Sequence, residues 1–289
     1  MRYEGANRGR AKERAHDARL PAGNVAVIEE LLPGTSTRVA IAGDWHGNID
    51  WVRRVVMLLR DRAPEVDTIL QLGDFGFFPR RTGQYFVAEV DVVCRAAGVK
   101  RVLVTPGNHE DWLVLDKMFA VLPGEAVRLS EVVWVLPRGF RFTLGGHTFL
   151  SFGGAASVDY EWRSTGHDWW MTEAPTAAQV ASAIGDGPAD VMLSHETVSG
   201  ATAEVERTLR SNPLGFSAEA LGYSAVSRQR VTEVWDAVQP AVLAHGHMHV
   251  RGEIELGDGR RVYSLAQNGL RGNVGLLDTQ TLAWEWLDE

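Results

Sequence analysis

Cysteine is almost absent. Cys94 is the only one in 289 residues, so no intrachain disulfide can form and a disulfide-stapled scaffold is excluded. It stands in the helical-looking stretch 85–94 (YFVAEVDVVC), where a buried, inert thiol is expected. Long apolar runs are missing as well. None reaches the roughly 18 residues that a membrane-spanning helix needs, and the N-terminus carries no signal-peptide apolar core. A soluble, cytoplasmic protein without a membrane partner is expected. Excess positive charge is the third absence: 29 Lys and Arg stand against 37 Asp and Glu, a formal charge of -8. Such a surface argues against general affinity for nucleic acid or anionic lipid, although bound metal reverses the sign locally.

What is present suits one sizeable core. Hydrophobic residues make up 45% and charged residues 23%, ordinary for a globular chain. No fixed-period repeat or low-complexity linker divides it. The first twenty residues differ, with Arg2, Arg8, Arg10, Lys12, Arg14 and Arg19 outnumbering Glu4, Glu13 and Asp17. They read as a basic tail (1–20) ahead of a single domain (21–289); a nucleic-acid-binding arm is the sharper alternative.

From residue 38 onward, apolar strand-like runs alternate with helical patterns. Strands are expected at 38–43 (RVAIAG), 67–73 (DTILQLG), 101–107 (RVLVTPG), 132–136 (VVWVL), 190–194 (DVMLS) and 241–244 (AVLA). Helices are expected near 49–62, with Asn48 as N-cap, and at 84–97, near 176 and at 227–238. Hairpins are expected at 140–152, turning at Gly145-Gly146, around Gly257-Asp258-Gly259, and in the closing VGLLDTQTLAWEW. One α/β domain with added antiparallel strands fits this order.

Five of the buried strands run straight into polar residues. Asp44-Trp45-His46 follows the first, Asp74 the second, Asn108-His109-Glu110 the third, His195 the run 190–194, and His245-Gly246-His247-Met248-His249 the run 241–244. Sites in open α/β sheets gather at the carboxyl ends of strands. Each piece alone has a plainer reading: a solvated loop for Asp-x-His, a turn for Gly-Asp, a helix start capped by Asn108, a packed histidine at 195. The ordered set is what points to a metal site. Aspartate, histidine and asparagine without thiolate suit Mn, Fe, Zn, Co or Ni, and the donors suffice for two ions.

The ordered motifs GDWHGN, Gly73-Asp74, GNHE (107–110), His195 and GHMH (246–249) resemble those of the calcineurin-like metallophosphoesterases. The resemblance implies a four-layer α/β sandwich of two mixed β-sheets flanked by helices. It implies two divalent ions, manganese foremost, and cleavage of phosphate esters by a metal-bridging hydroxide. Asp44, His46 and His249 would hold one ion and Asn108, His195 and His247 the other, with Asp74 between them. His109 would serve as general acid or phosphate stabiliser, oriented by Glu110. His245 matches no ligand position and is expected to be packed or to support the ligands from behind.

Two departures matter. Many members continue Gly-Asp with a further Asp, where this chain has Phe77. The Arg-Gly pair that protein phosphatases of the superfamily use to grip phosphate is not at its spacing, although Arg80 and Arg81 lie nearby. The Trp-rich segment 155–175 is the candidate substrate wall: Arg163 for phosphate, Trp169 and Trp170 for stacking on a ring, or else for packing the loop onto the domain. A phosphomonoesterase or phosphodiesterase for a small molecule or nucleotide is expected. A DNA or RNA nuclease and a non-catalytic metal-binding scaffold are the alternatives.

Overall fold

A computed structural model describes residues 37–79 and 81–287; the basic tail expected at 1–20 lies outside them, as does Arg80. Strand β1 (Arg38–Ala42) shows how the layers arise. Its side chains alternate, Val39 and Ile41 entering one apolar cluster and Ala40 and Ala42 another. A strand buried on both faces is the mark of a sheet covered on both sides. Parallel partners follow at β2 (Thr68–Gln71) and β3 (Arg101–Val104); β4 (Val127–Arg128) then pairs antiparallel with β5 (Val133–Val135), which is itself parallel to β3.

Helices α1 (Ile49–Arg62), α2 (Arg81–Ala96) and α3 (Trp112–Val121) connect these strands. Val52, Val55, Val56 and Leu59 of α1 pack on the outer cluster at helical spacing. As expected, Asn48 caps α1, its side chain accepting the Trp51 N–H at 3.0 Å. Asn108 caps nothing: α3 starts later, with Asp111 as its N-cap.

The second sheet begins with the hairpin β6 (Phe140–Leu144) and β7 (His147–Phe152), which turns at Gly145-Gly146 as expected. Both glycines have positive φ (58° and 90°), as a tight hairpin turn demands. Then come α4 (Ala177–Gly185), β8 (Val191–Ser194), α5 (Ala203–Arg210), α6 (Ala218–Val238), β9 (Val242–His245), β10 (Gly252–Glu255) and β11 (Arg261–Ser264). The hairpin β12 (Val274–Asp278) and β13 (Trp284–Trp286) returns to the first sheet.

The sheet orders are β13-β12-β1-β2-β3-β5-β4 and β10-β11-β9-β8-β7-β6. Each mixes parallel and antiparallel pairs. Their inner faces share one core, which includes Ile41, Leu70 and Leu103 from the first sheet with Phe149, Leu193 and Val242 from the second. Helices α1–α3 cover one outer face and α4–α6 the other. The result is the four-layer α/β sandwich that the motif resemblance implied. Among the described residues no helix is long and apolar enough to cross a membrane.

Candidate metal centre

The carboxyl ends of β1, β2 and β3 in one sheet and of β8 and β9 in the other carry the histidines, aspartates and asparagine singled out above. The backbone there is unusual. His46 (φ 45°), Asp74 (45°), His247 (65°) and His249 (56°) all adopt the left-handed conformation, four of the seven non-glycine residues that do so among those described. Each such placement costs about 1–3 kcal/mol, so these side chains are aimed at some expense in backbone energy.

Close packing of the loops leaves no room for side chains at the neighbouring glycines. A Cβ on Gly73 would lie 2.5 Å from His195 Nδ1, and one on Gly246 would strike the Asp44 carboxylate. Loops from both sheets thereby converge on Asp74, which is 1% exposed.

Donor atoms of Asp44, His46, Asp74 and His249 all lie within 4.8 Å of one another, a grouping that could hold a metal ion. Asp44 Oδ2 is buried without a hydrogen-bond partner, although His249 Nε2 is only 3.0 Å away. Two atoms that close, but not aligned for a hydrogen bond, are disposed to face a common third point. His46 is held from behind: its Nδ1 donates to Asn268 Oδ1 at 3.0 Å, leaving Nε2 3.5 Å from Asp74 Oδ2.

Asn108, His195 and His247 stand beside this group. His195 Nε2 is 2.9 Å from Asn108 Oδ1 and 3.4 Å from Asp74 Oδ1. Its Nδ1 donates to the Leu72 carbonyl at 2.7 Å, which fixes the ring. The His195 and His247 rings lie 4.9 Å apart, and the His247 N–H donates to Asp44 Oδ1 at 3.1 Å. All seven proposed ligands are thus gathered around Asp74 and Asp44.

Charge follows this geometry. Burial opposes ionisation of Asp74, yet the charges of His109 and His195 draw its pKa well below the usual carboxylate range. Burial likewise opposes protonation of His46 and His195, but Asp74 and Asp44 outweigh it and lift these histidines to about 9 and about 10. Burial, with the charge of His195, drives His247 down. Burial also lowers His245 to about 4; that residue packs inside β9, where its Nε2 meets Thr197 Oγ1 at 3.2 Å.

His109 stands at the rim. Its backbone N–H donates to Asp74 Oδ1 at 2.9 Å, and its Nε2 lies 3.7 Å from Asp74 Oδ2. Burial, helped by the Arg163 guanidinium, lowers its pKa. Glu110 does not orient this ring, contrary to expectation. Its carboxyl accepts the backbone N–H groups of Gly107, Asp74 (3.2 Å) and Gly76 (3.3 Å). Glu110 therefore ties the loop of Asp74 to the loop of Asn108. Burial and the Asp74 charge raise its pKa to about 7.

The Trp-rich segment divides in its roles. Arg163 reaches the centre, its Nη2 3.2 Å from His109 Nε2, and Asp159 grips it through both carboxylate oxygens at 2.8 and 2.7 Å. Trp169 is packed between Tyr160 and Tyr223 and donates its Nε1 to Glu173 at 3.0 Å. Trp170 lies in the core beneath the first sheet, 8% exposed. The structure therefore brings Arg163 to His109 at the edge of the candidate centre but gives both tryptophans packing partners. Phe77 is likewise a core residue.

The sequence reading missed Asn268, Asp159, Ser157 and Glu173. Asn268 follows β11, a further strand whose end leads into the same edge, so extending the strand-end reading by one strand reaches it. The other three lie in the Trp-rich segment, where no local pattern marks them.

A family model described as calcineurin-like phosphoesterase matches residues 37–251. No curated protein matches the chain. Among solved structures, a protein of Thermus thermophilus is similar over 87% of this chain and 98% of its own, at 15% identity and a TM-score of 0.51. A dimetal phosphatase from Danio rerio is similar over 83% of this chain and 91% of its own, at 13% identity and a TM-score of 0.50. At these identities the likeness is one of fold.

Proposed function

The chain belongs to the calcineurin-like phosphoesterases, and from that premise we propose that it is a two-metal phosphoesterase hydrolysing phosphate mono- or diesters of a small molecule or nucleotide. One observation carries this reading: the cluster of the buried Asp44 and Asp74 with the half-buried His46 and His249, in which Asp44 Oδ2 has no hydrogen-bond partner. A buried carboxylate oxygen without a donor is costly, and a cation there removes the cost. The donors are oxygen and imidazole, a set that suits Mn, Fe, Zn, Co or Ni; manganese is the ion proposed.

Asp44, His46 and His249 would hold one ion, Asn108, His195 and His247 the other, and Asp74 would serve both. When bound, two such ions supply Lewis acidity towards a phosphoryl oxygen and bring the acidity of water near neutrality. The protein's own groups do the rest. Asn268 and the Leu72 carbonyl fix the rings of His46 and His195. His109 stands where a departing oxygen can take its proton or a hydrogen bond. Arg163, clamped by Asp159 and donating also to the Asp168 carbonyl at 3.2 Å, offers the one guanidinium N–H left to a non-bridging phosphate oxygen.

A screen of nitrophenyl mono- and diesters with several divalent ions tests the proposal. Turnover that requires added metal and disappears with chelator supports it; a fully metal-loaded protein inert on every ester refutes it in favour of a scaffold. The formal charge of -8 speaks against the nuclease reading. Strong competition by duplex DNA that fades steeply with salt would restore it.

A further inference from the structure

Glu173 is completely buried, in the short 3-10 turn Met171–Glu173 of the Trp-rich segment. Four donors converge on its carboxyl: Ser157 N–H at 2.6 Å, Ser157 Oγ at 2.9 Å, Trp169 Nε1 at 3.0 Å and Tyr223 OH at 3.3 Å. Ser157 is 1% exposed, and its Oγ accepts the side-chain amide N–H of Asn108 at 2.9 Å. The opposite end of that amide, Oδ1, is 2.9 Å from His195 Nε2. A hydrogen-bonded line therefore runs from the Trp-rich segment to the metal centre.

We propose that Ser157, anchored by Glu173, is a positioning residue for the metal centre, which holds the Asn108 amide so that Oδ1, and not the N–H2, faces the ion shared with His195 and His247. The inference rests on the reading of Asn108 as a ligand. An asparagine amide has two ends of nearly equal size, one an acceptor and one a double donor. Only the oxygen can ligate a cation, and a reversed amide would present hydrogens to it.

Ser157 resolves that ambiguity because its hydroxyl proton is committed to Glu173 Oε2, which leaves a lone pair and no donor for Asn108. Burial raises Glu173 to about 8. Ionised, it accepts the Ser157 hydroxyl at Oε2; protonated on Oε1, towards the Tyr223 oxygen, it accepts that hydroxyl still. The backbone supports the same line: Gly154 N–H donates to the Pro106 carbonyl at 2.6 Å, pinning the segment that carries Ser157 to the loop that carries Asn108. The Trp-rich segment is in this view a brace for one ion.

Titration of the full chain with Mn2+ or Zn2+, followed by calorimetry and elemental analysis, tests the inference without any substrate. Wild type should take up two ions. Ser157→Ala should weaken one of them by about 10- to 100-fold, the usual effect of losing a group that orients a ligand, and leave the other unchanged. Glu173→Gln, whose one amide oxygen can serve Ser157 N–H and Trp169 Nε1 while its NH2 faces Ser157 Oγ, keeps Ser157 in place and should cost that ion less than Ser157→Ala does. Two ions at wild-type affinity in Ser157→Ala would overturn the inference, as would equal weakening of both, which signals general loosening. A loss in Glu173→Gln as large as that in Ser157→Ala would replace positioning by a charge effect and overturn it too. A wild-type chain that takes up only one ion refutes instead the two-metal reading on which the inference stands.

Discussion

Gly107→Ala replaces no proposed ligand and changes no charge, yet it should disable the metal centre. A Cβ at Gly107 would strike the backbone nitrogen and Oδ1 of Asp74 and come within 2.9 Å of His195 Cε1. Ordinary carbon contacts begin near 3.5 Å, so relief requires a shift of roughly 1 Å. What blocks the methyl is backbone, a carboxylate already hydrogen-bonded to His109 N–H, and a ring fixed by the Leu72 carbonyl; none is a flexible side-chain end. Overpacking of this kind costs about 1–3 kcal/mol, several degrees of melting temperature in a domain of this size. Ligand distances are held to about 0.2 Å, and a displacement of about 1 Å at a reacting centre can cost about 100-fold in rate.

The assay pairs a metal titration with hydrolysis of a nitrophenyl ester and a melting curve. Gly222→Ala is the control: it lies within α6 with nothing near its Cβ, and alanine there should stabilise by about 0.5–1 kcal/mol without touching the metals. A Gly107→Ala protein that binds two ions and turns over like wild type would refute the reasoning.

Other substitutions probe separate parts of the account. His109→Ala should leave metal content intact and lower the rate on esters with poor leaving groups by about 100- to 10,000-fold, with much less effect on nitrophenyl esters; equal losses on both would assign His109 to phosphate binding. His249→Gly should abolish uptake of one ion while raising the stability of the metal-free protein by about 1 kcal/mol, because glycine adopts φ 56° freely; lower stability would deny that the loop is strained. Stability of the metal-free protein should fall between pH 6 and pH 10. Glu110, Glu173 and Glu196 have folded pKa values raised by burial to about 7, 8 and 7, and Asp74 raises those of His46 and His195 despite burial. Raised folded values mean that stability present at lower pH is lost as pH climbs through them. Denaturant unfolding across that range checks the sign, and a curve that rises instead contradicts it.

Strands β1, β2, β3, β8 and β9 were legible because each is a short run of β-branched or aliphatic residues ending in a polar cluster, a pattern carried by neighbouring residues alone. The same locality explains the proposed ligands, which sit within a few residues of those strand ends. Helix α6 was read only from Ser227, whereas it starts at Ala218; its first turns, AEALGYSAV, contain Gly222 and little amphipathic signal. Helix α5 was missed because the eight residues AEVERTLR bury only Val205. The resemblance pairs Glu110 with His109, whereas the fold turns its carboxyl to the N–H groups of Gly107, Asp74 and Gly76, two of them more than 30 residues away in the chain. Glu173 was invisible for the same reason: it meets Tyr223 and Ser157 across 50 and 16 residues of chain, contacts that only the packed fold creates.

The most direct test of the account is a count of metal ions per chain in wild type and in Asp74→Ala. Asp74 lies against both histidine groups, 3.5 Å from His46 and 3.4 Å from His195, so its loss should weaken both ions together. The account predicts two ions in the loaded wild type and a joint loss in the variant. Two ions retained by Asp74→Ala at unchanged affinity, or a wild type that never takes up a second ion, would contradict it.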